Sequence, residues 1–376
     1  MGVRLGLLST YTPTQCGIAT FTDALVRHLK RSGAHVGVVR VVDEPQEQVL
    51  PVVHQWVPGR SDGAARAALA LDGHDVVLLQ HEYGIFPGED GEDVLDVLDR
   101  IHVPVVTVLH TVLTHPSPHQ HRVLAEIVRL SAALVTMTET ARDRLIAGWD
   151  VDPLDVVVIP HGAEDTRTAI TVTRFPPARP TVLTWGLLSE GKGIEWALLA
   201  LAGLRGTMEL PLYRVVGRTH PRVLEREGEA YRNRLLAMRR DLNLQDSVLF
   251  DDRYLSSTEL GQVVRGADVV LLPYDSREQV TSGVLTEAVA AGKPVISTSF
   301  PHAVELLSGG AGILVPQGDP LAIGAALTRV LTEHGAAGRM AHEARGLAAS
   351  LMWPAVAGRY VELASSVLGA RLRRAV

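Results

Sequence analysis

At 376 residues the chain exceeds the ~250–300 over which one hydrophobic core keeps growing, so two domains are expected. Its 46% apolar and 21% charged residues exclude a disordered or collagen-like chain, and a net charge of −6 argues against nucleic acid as a partner. The single cysteine, Cys16, excludes an internal disulfide and a cysteine-built zinc site, and no apolar run approaches the ~18 residues of a spanning helix.

The N-terminus reads as a strand rather than a signal peptide, and a soluble, cytoplasmic protein is expected. Residues 3–8, 36–42, 75–80, 103–109, 133–137 and 156–159 are nearly continuous apolar runs, the pattern of parallel strands covered on both faces. Amphipathic segments separate them. In the first, Phe21, Leu25, Val26 and Leu29 share a helical face and Gly33 supplies a C-terminal cap. Pro176, Pro177 and Pro180 then break the pattern, which places an interdomain linker at 169–180. Strand runs resume at 181–185, 212–216, 247–250, 268–272, 294–297 and 313–315. Residues 221–241 read as one helix whose mixed charges mark a solvated face. From about Pro320 the chain is mainly helical and ends in the basic Arg371-Leu372-Arg373-Arg374. The alternation predicts two doubly wound α/β domains, residues 1–168 and 181–355, facing one another.

In open parallel sheets ligands bind beyond the carboxyl ends of the strands, so the residues that follow each run are the candidates. In the first half these are Thr14-Gln15-Cys16-Gly17, His81-Glu82-Tyr83-Gly84, His110-Thr111 and His161-Gly162. In the second half they are 186–192, Gly217-Arg218-Thr219-His220, 274–282 and 299–302. Gly17, at a helix start, would let the backbone approach an anion; a tight turn needing positive φ is the alternative. Lys192, among Gly186, Gly191 and Gly193, suits a phosphate clamp, with a solvated loop lysine as the alternative. Gly193 stands where a Walker loop requires Ser or Thr. Thr281-Ser282-Gly283 opens a second helix able to hold a diphosphate. One turn in, Glu287 could accept ribose hydroxyls or be no more than a favourable helix charge. His110 could donate to a polarised group or be a structural histidine. His115, His119 and His121 lack an acidic or cysteine partner at recognisable spacing, so no metal site is expected.

Read together, these segments resemble the family 4 retaining glycosyltransferases of the GT-B fold. The resemblance is carried by Pro13-Thr14-Gln15-Cys16-Gly17-Ile18-Ala19-Thr20-Phe21, His110-Thr111, Gly191-Lys192-Gly193, and Glu287-Ala288 with Gly292-Lys293-Pro294-Val295. A bacterial subgroup is similar at Gln80-His81-Glu82-Tyr83-Gly84-Ile85-Phe86, Glu227-Gly228-Glu229-Ala230-Tyr231-Arg232 and Gln279-Val280-Thr281-Ser282-Gly283. Two departures stand out. Gln279 occupies the place of the family's first glutamate, and Leu187 the place of its pyrophosphate arginine, for which Arg218 or Arg253 would substitute.

The resemblance implies two Rossmann-like domains, an N-terminal one for the acceptor and a C-terminal one for a nucleotide-sugar donor, with the last helix, about 356–376, packing back on the first. It implies transfer of a hexosyl unit, of mannose or glucose type, from a GDP- or UDP-sugar to a carbohydrate or small-molecule hydroxyl with retention. Lys192, Gly17, Gly186, Arg218 and the backbone of Ser282, Gly283 and Val284 would hold the diphosphate, and Glu287 the ribose. His110, Glu82 and Gln279 would act at the transferred sugar, and His81, Tyr83 and Thr111 would contact sugar or acceptor. No cofactor or metal is expected, and peripheral contact with a lipid-linked acceptor is left open. A sugar-nucleotide epimerase and a non-catalytic nucleotide-sugar-binding protein are the competing readings.

Overall fold

A computed structural model describes residues 2–166 and 179–374; residues 169–178 of the expected linker lie outside the described residues. The chain divides into two units, Met1–Gly162 with Trp353–Val376, and Ala163–Met352.

The first unit is built on a seven-stranded parallel sheet. Its strands are β1 (Arg4–Ser9), β2 (His35–Val41), β3 (Val52–Trp56), β4 (Val76–His81), β5 (Val105–Leu109), β6 (Ala133–Thr136) and β7 (Val156–Val158), in the order β3-β2-β1-β4-β5-β6-β7. Every residue of β4 and β5 is buried, as expected of strands covered on both faces. The sequence reading missed β3. It is an edge strand of five residues with His54 and Gln55 inside it, half-covered and following a polar loop, so it carries no apolar run.

The helix Trp353–Arg374 belongs to this unit. Trp353, Val356, Ala357, Tyr360 and Ala364 pack with Phe21, Leu25 and Leu29 of the helix Gly17–Arg31. Gly162 seats the tryptophan, since a Cβ there would lie 2.2 Å from the Trp353 ring.

The second unit carries a six-stranded parallel sheet: β8 (Thr181–Trp185), β9 (Leu212–Val216), β10 (Val248–Asp251), β11 (Val269–Leu272), β12 (Val295–Thr298) and β13 (Gly312–Val315), ordered β10-β9-β8-β11-β12-β13. Each sheet reverses its strand order once, between β1 and β4 and between β8 and β11. The loops leaving those strands border the crevice where doubly wound sheets bind ligands.

The helix expected over 221–241 is two helices, Pro221–Glu227 and Ala230–Asp241. Gly228, at φ 62° and ψ −142°, cannot continue a helix and turns the chain. The face expected to be solvated is also partly interior, because Arg232 is buried and donates to the Gly217 carbonyl.

Candidate functional site

In the first unit, β4 and β5 end side by side and bring His81, Glu82, Tyr83, His110 and Thr111 together. The His110 amide donates to the His81 carbonyl at 3.0 Å, closing the ladder between the two strands. Burial holds Glu82 above the ordinary carboxylate range, and its oxygens accept from the Thr111 hydroxyl and from the Tyr83 amide at 3.1 Å. His110 Nε2 lies 2.8 Å from Gln80 Oε1. With that oxygen accepting, the imidazole carries its proton on Nε2 and presents Nδ1 as an acceptor. Burial lowers His81 to about 4, and burial with the neighbouring His161 and His81 lowers His110 to about 3, so both rings are neutral at pH 7. Behind this rim Phe21 meets His110, His161 and Trp353 edge-on, at 4.9, 4.9 and 5.1 Å between ring centres.

Gly17 opens the helix Gly17–Arg31, whose N-cap is Cys16, with Sγ accepting from the Ala19 amide at 3.3 Å. Gly17 has no positive φ, which removes the tight-turn explanation. A Cβ on it would meet nothing within 4 Å, so nothing in the unit itself requires glycine there.

The three loop histidines part company. His115 is exposed, and His121 stacks on Trp149 at 5.0 Å. His119 has acidic partners that no sequence spacing announced. Its Nδ1 lies 3.0 Å from Asp90 and its Nε2 3.1 Å from Glu92, carboxylates from a loop far away in sequence, which raise its pKa. The ligand atoms of Glu89, Asp90 and His119 lie within 4.8 Å of one another. With both ring nitrogens facing carboxylates, the arrangement favours the protonated ring.

In the second unit, Lys192 sits on the loop between β8 and the helix Ile194–Gly203. It lines a cavity of about 400 Å³ together with Ser189, Glu190, Gly191, Tyr274, Asp275, Ser276 and Gln279. Two carboxylates in that wall are engaged elsewhere. Glu190 pairs with Arg234 at 2.8 Å, and Asp275 accepts from Trp196 Nε1 at 2.7 Å. Lys192 has no ion pair among the described residues; its ammonium stands 4.3 Å from the centre of the Tyr274 ring. Burial lowers it to about 8.

Gly186, at φ 115°, leaves β8 against Gly217, where a Cβ would lie 2.0 Å from the Gly186 carbonyl oxygen. The Leu188 amide donates to the Arg218 carbonyl at 2.8 Å, so both loops run together. Arg253, the other candidate for the missing arginine, pairs with Asp251, to which Nε and Nη2 donate at 2.9 and 2.7 Å. Glu229 and Arg232, in the segment similar to the bacterial subgroup, brace this region. Thr219 donates to Glu229, and Arg232 to the Gly217 carbonyl.

The helix Gly283–Ala290 begins where β11's exit loop ends. Its Ser282 cap accepts from the Leu285 amide at 3.2 Å, and Ser282's own amide donates to His302 Nδ1 at 2.8 Å. Of the expected trio of backbone donors, the Ser282 amide is thus already engaged. Gln279 spends its side-chain amide on the Thr281 carbonyl at 3.0 Å. Glu287 accepts from Trp185 Nε1 at 3.2 Å, and burial, aided by the charge of Glu164, raises it to about 7. Sequence reasoning missed Trp185 altogether, and named Gln80 and His302 only as members of longer stretches, without the partners they hold. Each lies in or beside an apolar run and reads as core until its partner is known.

The two halves match different family models: residues 16–167 match "Glycosyltransferase Family 4" and residues 179–333 match "Glycosyl transferases group 1". The chain is 28% identical over 272 residues to a glycogen synthase of Mycobacterium tuberculosis, covering 68% of this chain and 61% of that one. It is 28% identical over 253 residues to a D-inositol 3-phosphate glycosyltransferase of Corynebacterium kroppenstedtii, covering 59% and 53%. The match therefore spans only 61% and 53% of those relatives' lengths. A D-inositol 3-phosphate glycosyltransferase of Xylanimonas cellulosilytica is 27% identical, covering 96% of both chains. Among solved structures, Anabaena Alr3699/HepE in complex with UDP and glucose aligns with TM-score 0.75 at 18% identity, covering 97% of this chain and 100% of that one. Sucrose-phosphate synthase from Thermosynechococcus elongatus aligns with TM-score 0.75 at 18% identity, covering 98% and 100%.

Proposed function

We infer a GT-B glycosyltransferase of the family 4 type, an enzyme that moves a hexosyl unit from a nucleotide diphosphate sugar to an acceptor hydroxyl with retention. The observation that carries this reading is Lys192: a lysine lining a cavity, desolvated, with no carboxylate of its own. Such a cation is unpaired until an anion arrives, and a diphosphate that gains charge as its glycosidic bond breaks is the ligand that rewards it most.

The second unit is assigned the donor. Lys192 and the Gly283 and Val284 amides stabilise the departing diphosphate, and ionised Glu287 accepts the two ribose hydroxyls while Trp185 fixes its second oxygen. The first unit is assigned the sugar and the acceptor. Neutral His110 accepts a sugar hydroxyl at Nδ1, and Glu82, oriented by Thr111 and the Tyr83 amide, accepts from a second hydroxyl. No step in this scheme requires a metal ion, since ammonium and helix amides balance the diphosphate. The UDP and glucose bound by the Anabaena protein make UDP-glucose the first donor to try, with GDP-mannose beside it.

The test incubates the full chain with each donor, with and without a panel of hydroxyl acceptors, and measures nucleoside diphosphate release and the sugar product. Acceptor-dependent release with the anomeric configuration kept supports the reading. Conversion of the donor sugar without an acceptor would reassign the chain as an epimerase, and tight donor binding without any release would reassign it as a binding protein.

A further inference from the structure

We propose that Tyr274 is a positioning residue for Lys192, its ring serving as a shelf that seats the ammonium without neutralising it. This deepens the reading of Lys192 as the diphosphate cation and rests on it.

The ammonium stands 4.3 Å from the Tyr274 ring centre, within the ~6 Å over which an aromatic face attracts a cation. The ring is 1% exposed and stacks on Phe300, 5.5 Å between centres with the planes 18° apart, so it does not swing. Its backbone is pinned on two sides. Thr298 Oγ1 donates to the Tyr274 carbonyl at 2.6 Å, and the Asp275 amide donates to the Gly191 carbonyl at 2.9 Å. Gly193, at φ 62°, brings the lysine loop against Pro273 so closely that a Cβ would lie 1.8 Å from the Pro273 carbonyl oxygen. The lysine loop and the shelf are thereby fitted to each other before any ligand binds.

None of the other charged groups around the lysine claims it. Glu190 is held by Arg234 and Asp275 by Trp196; His220 feels the charge as a repulsion that lowers its own pKa, and Glu287 bears on the phenol of Tyr274. A carboxylate in the ring's place would hold the ammonium more tightly but would have to be displaced, or left repelling the diphosphate. An aromatic quadrupole steers the cation and leaves its charge whole. The Tyr274 hydroxyl is buried and makes no hydrogen bond, so the face of the ring, not its oxygen, is what the lysine uses.

The chain holds three lysines, Lys30, Lys192 and Lys293, so a sample labelled with 13C at lysine Cε gives three signals, and Lys192→Met assigns the one that matters. Each variant is titrated by NMR, and UDP affinity is measured by calorimetry at pH 8. Tyr274→Phe is expected to keep the lysine midpoint near that of the unaltered protein. Replacing Tyr274 by 3,4,5-trifluorophenylalanine, which keeps the shape but removes the negative face, is expected to lower the midpoint by roughly one pH unit. UDP binding should weaken in the same order, several-fold for the fluorinated ring. Equal midpoints for the phenylalanine and fluorinated proteins would overturn the shelf. If Lys192→Met binds UDP as tightly as the unaltered chain, the diphosphate role itself falls, whatever the titrations show.

Discussion

Trp185 Nε1 donates to Glu287 Oε2 across 3.2 Å, joining the last residue of β8 to the first turns of the helix Gly283–Ala290. Among the described residues that bond is the carboxylate's one donor, in a setting whose burial raises it to about 7. Ribose hydroxyls would supply two more, and they bind the ionised form. Nucleotide affinity should therefore climb as pH rises from 6 through 7 and fall again above about 8, where Lys192 loses its proton. A folded pKa above the unfolded one means that ionising Glu287 above pH 4.5 costs stability, by up to roughly 3 kcal/mol at pH 8. Glu287→Gln keeps the Trp185 bond and removes the charge. It is expected to raise urea resistance of the ligand-free protein at pH 8 while weakening UDP or GDP binding at least tenfold. Calorimetry showing unchanged affinity would remove the ribose role.

Lys192→Met keeps the stem and removes the charge. Loss of one stabiliser of a developing anion costs ~10²–10³-fold in turnover, and ground-state donor binding should fall much less. The pH profile supplies an independent check. An ammonium that titrates near 8 gives kcat/KM an alkaline limb there, which the Met variant should lack. A variant with near-normal turnover would take Lys192 out of the mechanism.

Much of this was legible in the sequence because parallel strands buried on both faces leave continuous apolar runs. Twelve of the thirteen strands among the described residues, and the loops at their ends, follow from those runs. The exception, β3, is half-covered and mixes His54 and Gln55 with its apolar residues. Within the candidate site, Lys192, Gly186 and Glu287 announce themselves by residue type and position. Their partners do not: Trp185 serves Glu287 and Tyr274 serves Lys192 with side chains that otherwise read as core packing, and only distance separates the two uses. The acid partners of His119 were hidden for the same reason: Asp90 and Glu92 are 29 and 27 positions away in sequence. Mixed charge misled at Arg232, where a polar-looking helix buries one guanidinium against a backbone carbonyl.

That guanidinium yields a stability prediction. Arg232 is buried, donates to the Gly217 carbonyl and lies 3.4 Å from Glu229, which also holds Thr219. Arg232→Met preserves the packed stem but leaves a carbonyl and a carboxylate short of a donor, at a cost of about 1–3 kcal/mol. Arg222→Met, an exposed change in the preceding helix, should stay within about 0.5 kcal/mol. Urea midpoints that fall equally for both variants would refute the bracing role.

The two units should respond to acid in opposite directions. His81, His110 and His161 all lie in the first unit, with burial lowering them to about 4, 3 and 4. A folded pKa below the unfolded value of about 6.5 means that the unfolded chain takes up the proton first. Stability is then whole above pH 6.5 and drains away as pH falls towards 4, by up to about 1.36 kcal/mol per unit for each ring, or roughly 4 for the three. His119, raised by Asp90 and Glu92, opposes this from the surface of the same unit, where solvent screens it. The second unit holds Glu287, whose raised pKa stabilises its fold as pH falls from 7 towards 4.5. Hydrogen exchange at pH 7 and pH 5.5, corrected for the intrinsic rate, resolves the two. Protection of β4 and β5 should drop by orders of magnitude while that of β8 and β11 holds or grows. Equal losses in both sheets would mean that these three imidazoles do not govern the acid response.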